Sequence, residues 1–156
     1  TNTRSSKKKF FLWLGWKKMK VSDLEGTIHK WKIEQGFIRS NDQRPRSKLH
    51  LTARSLLKDI YPTLQICEEV PVRLRGNQKI FVDFYINTIK TVIEVHGAQH
   101  YKFNSLYHSS AQDFVNQKTR DNNLKEWCEL NNLNYIELPF NENQDKWKIR
   151  ILQESD

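Results

Sequence analysis

The sequence predicts a mixed α/β domain in which a helix is followed by three strands, a second helix and a final strand. Three observations carry this prediction. Residues 49–60 and 111–130 place their patterned side chains at three- and four-residue intervals, the spacing of helices. Between them, Ile80 to Ile86 and Thr91 to Val95 are short, rich in β-branched and aromatic residues and bounded by turn residues, as buried strands are. The pair Gly76-Asn77 then separates the first of these runs from an earlier apolar one, so that three strands follow one another as a meander. With 156 residues, of which 37% are hydrophobic, the chain fits one domain with a small appendage.

Taken in order, residues 1–46 read as a basic, mostly helical, aromatic-rich extension and residues 47–156 as the core. Ser22 and Glu25 make a capping box, and Leu24, Ile28 and Trp31 at helical spacing predict a short helix ending near Gly36. The polar run around Pro45 reads as a linker. Leu49, Ala53, Leu56, Leu57 and Ile60 predict an amphipathic helix that stops before Pro62. A strand is expected over Leu64 to Val72, with Glu68 on the face of Leu64, Ile66, Val70 and Val72 and Glu69 on the other; a bulge would exchange the two glutamates. Ser110 and Asp113 cap a long helix ended by Asn131-Asn132, on which Lys118 and Lys125 either reach toward the carboxylates or DNA or, the favoured reading for either alone, leave an Asp121–Lys125 pair at the surface. Tyr135 to Leu138 is the last strand, and Asp145 to Leu152 a closing helix.

The net charge of +8 is lopsided. Residues 1–50 hold 13 Lys and Arg against 4 Asp and Glu, whereas residues 51–156 hold 13 against 14. An acidic partner at the N-terminal end is therefore expected, nucleic acid before membrane surface. Lys7, Lys8, Lys9, Lys17, Lys18, Lys20, Arg44, Arg46, Arg73, Arg75 and Lys118 are the candidate DNA contacts, with Trp13, Trp16 and Trp31 as candidate wedges or core residues. No apolar stretch reaches membrane-spanning length and no signal-peptide core follows the basic start. Cys67 and Cys128 lack metal-site spacing and read as small buried hydrophobes in a reducing, cytoplasmic setting.

The candidate site lies on the two buried strands. Each carries one carboxylate, Asp83 and Glu94, and burying a charge without a partner is strongly unfavourable. Two carboxylates on neighbouring strands form a hard oxygen site suited to Mg²⁺, with Mn²⁺ able to substitute, and the main-chain carbonyl of Val95 is a further ligand. Glu68 or Glu69 is a third acidic candidate. His96 shares the face of Glu94, and His96 or His100 can accept a proton from an attacking water. Gln99 can hold that water or a phosphate. The pattern D-x10-E-x-H-G-x-Q-H thus assembles phosphodiester chemistry within a basic protein.

The run VDFYI, a short turn and VIEVHGAQHY resembles the core of the PD-(D/E)XK nuclease superfamily, and more narrowly its Vsr-like branch of mismatch and homing endonucleases. The resemblance covers about two-thirds of the chain. It implies a restriction-endonuclease-like αβββαβ core with a mixed central sheet, metal ligation by Asp83 and Glu94, and a DNA endonuclease of a bacterial or phage-infected cell. Two positions depart from the family pattern. His96 stands where a lysine is usual, as in the Vsr-like branch, and Arg54 falls where many relatives carry a glutamate. A catalytically inactive nuclease fold that only binds DNA is the alternative.

Overall fold

The computed structural model describes residues 19–38 and 42–154. Lys7, Lys8, Lys9, Lys17, Lys18, Trp13 and Trp16 lie outside the described residues. The elements are strands β1 (Lys20–Ser22) and β2 (Ile28–Lys30), helix α1 (Lys48–Ile60), strands β3 (Cys67–Arg75), β4 (Gln78–Ile86) and β5 (Thr91–His96), helix α2 (Ala111–Leu130), strand β6 (Asn134–Pro139) and helix α3 (Gln144–Glu154). The main sheet has the order β3-β4-β5-β6. Its first three strands are antiparallel neighbours, and β6 runs parallel to β5 after the crossover through α2.

Each helix begins as its sequence dictates. The hydroxyl of Ser47 accepts from the His50 N–H at the start of α1, and that of Ser110 accepts from the Asp113 N–H at the start of α2. α1 and α3 cover one face of the sheet, where Ala53, Leu56, Leu57, Trp147 and Ile151 pack with Phe84, Ile86, Ile93, Ile136 and Leu138. α2 covers the other face through Leu124, Trp127 and Cys128, which pack with Val70, Val72, Leu74, Val82, Tyr85 and Val92. Cys67 and Cys128 are both buried and free.

The N-terminal helix predicted over residues 22–36 is instead a hairpin followed by a 3-10 turn at Ile33–Gly36. Asp23 decides this. Its carboxylate accepts from the N–H groups of Glu25 and Thr27 and meets the His29 ring at 2.7 Å, closing a turn that Gly26 completes at φ +85°. Ser22 is spent elsewhere: Asn131 bonds both its N–H and its carbonyl, across 109 residues. Trp31 is core, donating its indole N–H to the Pro71 carbonyl and packing against Tyr85 and Trp127. Val21, Trp31 and Ile33 share the α2-side cluster with the sheet.

The expected strand from Leu64 starts only at Cys67, because Leu64 is held in a turn by Tyr61; it then runs on to Arg75. Within it the side-chain alternation slips. Cys67 and Val70 both face α2, whereas Glu68 turns toward α1, and the residue between, Glu69, has φ +50°. The face predicted to hold Glu68 together with Val70 and Val72 is therefore divided at Glu69. β4 slips opposite it: Ile80 and Val82 face α2, but Phe84 and Ile86 face α1 and α3. Between Glu68↔Phe84 and Val70↔Val82 the ladder skips the rung of Glu69 and Asp83.

Candidate functional site

Asp83 stands where both of its strand ladders are interrupted. On one side the rung to β3 is skipped, and on the other the pairing of β4 with β5 ends at Phe84↔Ile93. Released from a regular rung, the Asp83 carboxylate accepts from the Val95 N–H at 2.8 Å. In an extended strand a residue turns its N–H and C=O toward the same neighbour, so the Val95 carbonyl faces the same opening. Glu94, next along β5, is 3% exposed, and its Oε1 has no hydrogen-bond partner among the described residues. Burial and the Asp83 charge beside it hold the Glu94 carboxyl well above the usual carboxylate range. Burial works on Asp83 in the same sense, but the His50 imidazole close by, the shared bond with Glu94 and the Val95 N–H overcome it and keep Asp83 ionised. One proton or one cation resolves the pair. An ionised carboxylate, an orphaned buried carboxylate oxygen and the main-chain carbonyl of Val95 form a donor set that fits a hard divalent ion.

Glu68 is also 3% exposed, yet it is satisfied. Arg54 grips both its oxygens at 2.9 to 3.1 Å, and His50 Nε2 bonds Oε1 closely. The other nitrogen of His50 lies 3.9 Å from Asp83 Oδ1. Burial disfavours a charge on His50, but bonding to Asp83 and Glu68 outweighs it and lifts the imidazole to a pKa of about 9. His50 thus links Glu68 to Asp83 as a cation, so Glu68 reaches the site through a histidine. Glu69 points away, toward Arg44 and Arg46.

His96 and His100 form a second group beside Glu94. Their rings stack with centroids 3.9 Å apart and planes 10° apart. Each has a carboxylate on Nδ1: Asp121 at 2.8 Å from His100, and Glu137 at 3.1 Å from His96. The His96 bond, with the Tyr101 hydroxyl at 2.7 Å, holds Glu137 down at a pKa of about 2. On the Nε2 side, the Gln117 amide lies 3.2 Å from His100 and the Tyr135 hydroxyl 3.4 Å from His96. Nitrogens of both rings and an Asp121 oxygen fall within 4.8 Å of one another. An imidazole binds a metal in the plane of its ring, however, and two stacked rings share no such point. Stacked in this way, the two imidazoles can each exchange a proton but do not converge on one chelated ion. Gln99 folds over Gly97, where a Cβ would stand 2.5 Å from its Oε1.

Asp121 was expected to pair with Lys125 at the surface. It is instead buried on His100 and Arg120, and Lys125 reaches Glu137 at 3.7 Å. Helical spacing identified the stripe of α2 that carries Asp121 but not its burial. His50, Gln117, Tyr135 and Glu137 carried no sequence signal, because their site partners Glu68, Asp83, His100, His96 and Tyr101 are 17 to 41 residues distant and only folding joins them. Among the basic candidates, Lys20, Arg73 and Arg75 are exposed. Lys118 lies over the rings of Tyr101 and Phe114. Arg44 and Arg46 fold onto Asp42 and Glu69, and the Arg46 side chain is only 6% exposed. No helix among the described residues is long and apolar enough to cross a membrane.

No family model matches the chain. It is similar to uncharacterized protein 307L of Invertebrate iridescent virus 6, with 38% identity over 65 residues, 42% of this chain and 33% of the viral protein. It is also similar to uncharacterized protein 033L of Invertebrate iridescent virus 3, with 34% identity over 67 residues, 43% and 34% of the two chains. The chain thus spans about a third of the length of these curated relatives.

Proposed function

We propose that this protein is a metal-dependent endodeoxyribonuclease with a restriction-endonuclease-like core, akin to the Vsr-like branch of the PD-(D/E)XK superfamily. The observation that carries the reading is the orphaned, buried Oε1 of Glu94 beside an ionised Asp83, at the point where two strand ladders open. Asp83, Glu94 and the Val95 carbonyl hold Mg²⁺ or Mn²⁺. When bound, such an ion stabilises negative charge developing on a phosphodiester and makes an attacking water more acidic.

The chain's own residues do the rest. Asp121 on His100 and Glu137 on His96 fix the Nδ1 side of each ring, which leaves Nε2 as the proton acceptor. Gln117 and Tyr135 sit on those nitrogens and give way to the water. His50, held cationic near neutral pH, helps keep Asp83 ionised and would face a phosphate held at the Asp83 carboxylate.

The test is supercoiled-plasmid cleavage by wild type and Asp83→Ala with Mg²⁺, with Mn²⁺ and with chelator. Metal-dependent relaxation or linearisation lost in the variant is expected, and cleavage retained by the variant would refute the assignment. One observation favours a second reading, a nuclease fold that only binds DNA: Arg54 and His50 saturate the third buried acid, Glu68. That reading expects salt-sensitive binding with no product under any divalent metal.

A further inference from the structure

The β1–β2 hairpin and the β3–β4 hairpin meet in a cleft that belongs neither to the carboxylates nor to the histidines. Its volume is 330 Å³, and its polar lining comes mostly from Lys30 and Lys32 after the first hairpin and Arg73 and Lys79 on the second. The floor is rigid. Trp31 is 3% exposed and tied to the Pro71 carbonyl at 2.9 Å, and Leu24 N–H bonds the Leu74 carbonyl at 2.8 Å. No acid lines the cleft. The nearby acid Asp23 is buried and already engaged by His29.

The register adds an independent observation. Arg73 stands directly opposite Lys79 across the β3–β4 ladder, and Lys20 directly opposite Lys30 across β1–β2. Like charges facing one another across a sheet are destabilising. None of Lys30, Lys32, Arg73 and Lys79 has a carboxylate partner among the described ion pairs; Lys79 only caps the ring of Phe81 at 5.5 Å. Two hairpins therefore hold four cations together on a fixed floor, with no carboxylate paired to any of them among the described residues.

We infer that this cleft is a seat for a nucleic-acid phosphodiester backbone, separate from the bond that is cut. A polyanion relieves both cross-strand repulsions, and a double helix presents closely spaced phosphates to a row of cations. Position supports it: Lys79 lies four residues before Asp83 on the same strand, so a duplex seated here is led along β4 toward the carboxylates. The inference rests on the nuclease reading for its direction but not for its test.

Binding of a short duplex and of the same sequence as a single strand is measured in chelator, across a salt series. Four proteins are compared: wild type, Asp83→Asn, the cleft variant Lys30→Gln/Lys32→Gln/Arg73→Gln/Lys79→Gln, and a control with equal charge loss, Lys48→Gln/Lys58→Gln/Lys146→Gln/Lys148→Gln. All eight substituted cations are exposed, so both quadruple variants keep the fold, which circular dichroism checks. The cleft variant is expected to bind duplex about 100-fold more weakly at about 0.1 M salt, with a salt slope lower by about 3 to 4, while the control stays within a few fold of wild type. A larger loss on duplex than on single strand identifies the double helix as occupant, and an equal loss on both assigns any phosphodiester strand. Equal losses in the two quadruple variants, or no loss in the cleft variant, overturn the inference. Failure of the nuclease reading shows separately, as absent plasmid cleavage by wild type with the cleft effect intact.

Discussion

Glu68 and Glu94 are two glutamates on one sheet, each 3% exposed, and they meet opposite electrostatic fates. Glu68 has a guanidinium and an imidazolium against it, which overcome the effect of burial and draw its pKa down. Glu94 has another carboxylate against it and an oxygen that bonds nothing among the described residues, and its pKa is driven up. The lesson is that burial alone does not mark a functional acid. A buried acid with complete partners is part of the structure, whereas one left incomplete is a place where something else belongs.

The comparison breaks first in catalysis. Asp83→Ala or Glu94→Gln should lower plasmid cleavage by roughly a hundredfold to a thousandfold or more, with duplex binding in chelator unchanged. Removing Arg54 should affect the satisfied glutamate instead. Arg54→Leu leaves Glu68 with His50 alone and should destabilise the fold by about 2 to 3 kcal/mol in urea unfolding, below the roughly 3 to 5 kcal/mol of a fully buried pair because Arg54 is 25% exposed. A loss below about 0.5 kcal/mol would mean that Glu68 is not held as described.

Glu94→Gln should act in the opposite direction. Amide for carboxyl spares folding the cost of protonating Glu94 beside Asp83, so the variant without metal should be more stable than wild type by about 1 to 2 kcal/mol, a rise of a few degrees in Tm. Added Mg²⁺ should raise the Tm of wild type and not that of the variant. Metal-induced stabilisation of both to the same extent would place the ion elsewhere.

The smallest effect is the pH dependence. The raised pKa of His50 means that its contribution to stability is whole below its unfolded value of 6.5 and fades as pH rises through about 9. Glu94, also raised, acts in the same sense, since its protonated form is the one the fold favours. Stability without metal should therefore fall between pH 6.5 and 9, and His50→Gln should flatten that slope, as read by urea midpoints at each pH. A stability that rises across this window would contradict the ionisation states described for both residues.

The order of elements in the core was legible in the sequence because its signals are local. Helical spacing, Ser110 as a cap, the turn at Gly76-Asn77 and the β-branched runs each act within a few residues of themselves. Asp83, Glu94, His96 and His100 stood out for the same reason, as polar residues in or beside short apolar strands. The N-terminal hairpin was misread because Ser22 and Glu25 satisfy a local capping pattern. Bonds from Asn131 to Ser22, from Trp31 to Pro71 and from Leu24 to Leu74 outweigh that pattern once the chain is folded.

What the sequence determined by itself, then, is the succession of helices and strands and the candidate carboxylates and imidazoles at their centre. Only the tertiary structure decided which acids are satisfied and which are not. Arg54 and His50 come to Glu68 across 14 and 18 residues, Asp121 to His100 across 21 and Val95 to Asp83 across 12. The slipped alternation at Glu69 and Asp83 then aims each side chain. Charge partners are chosen by proximity in space, and in a low-dielectric interior a few ångströms separate a carboxylate that is held from one that is left open.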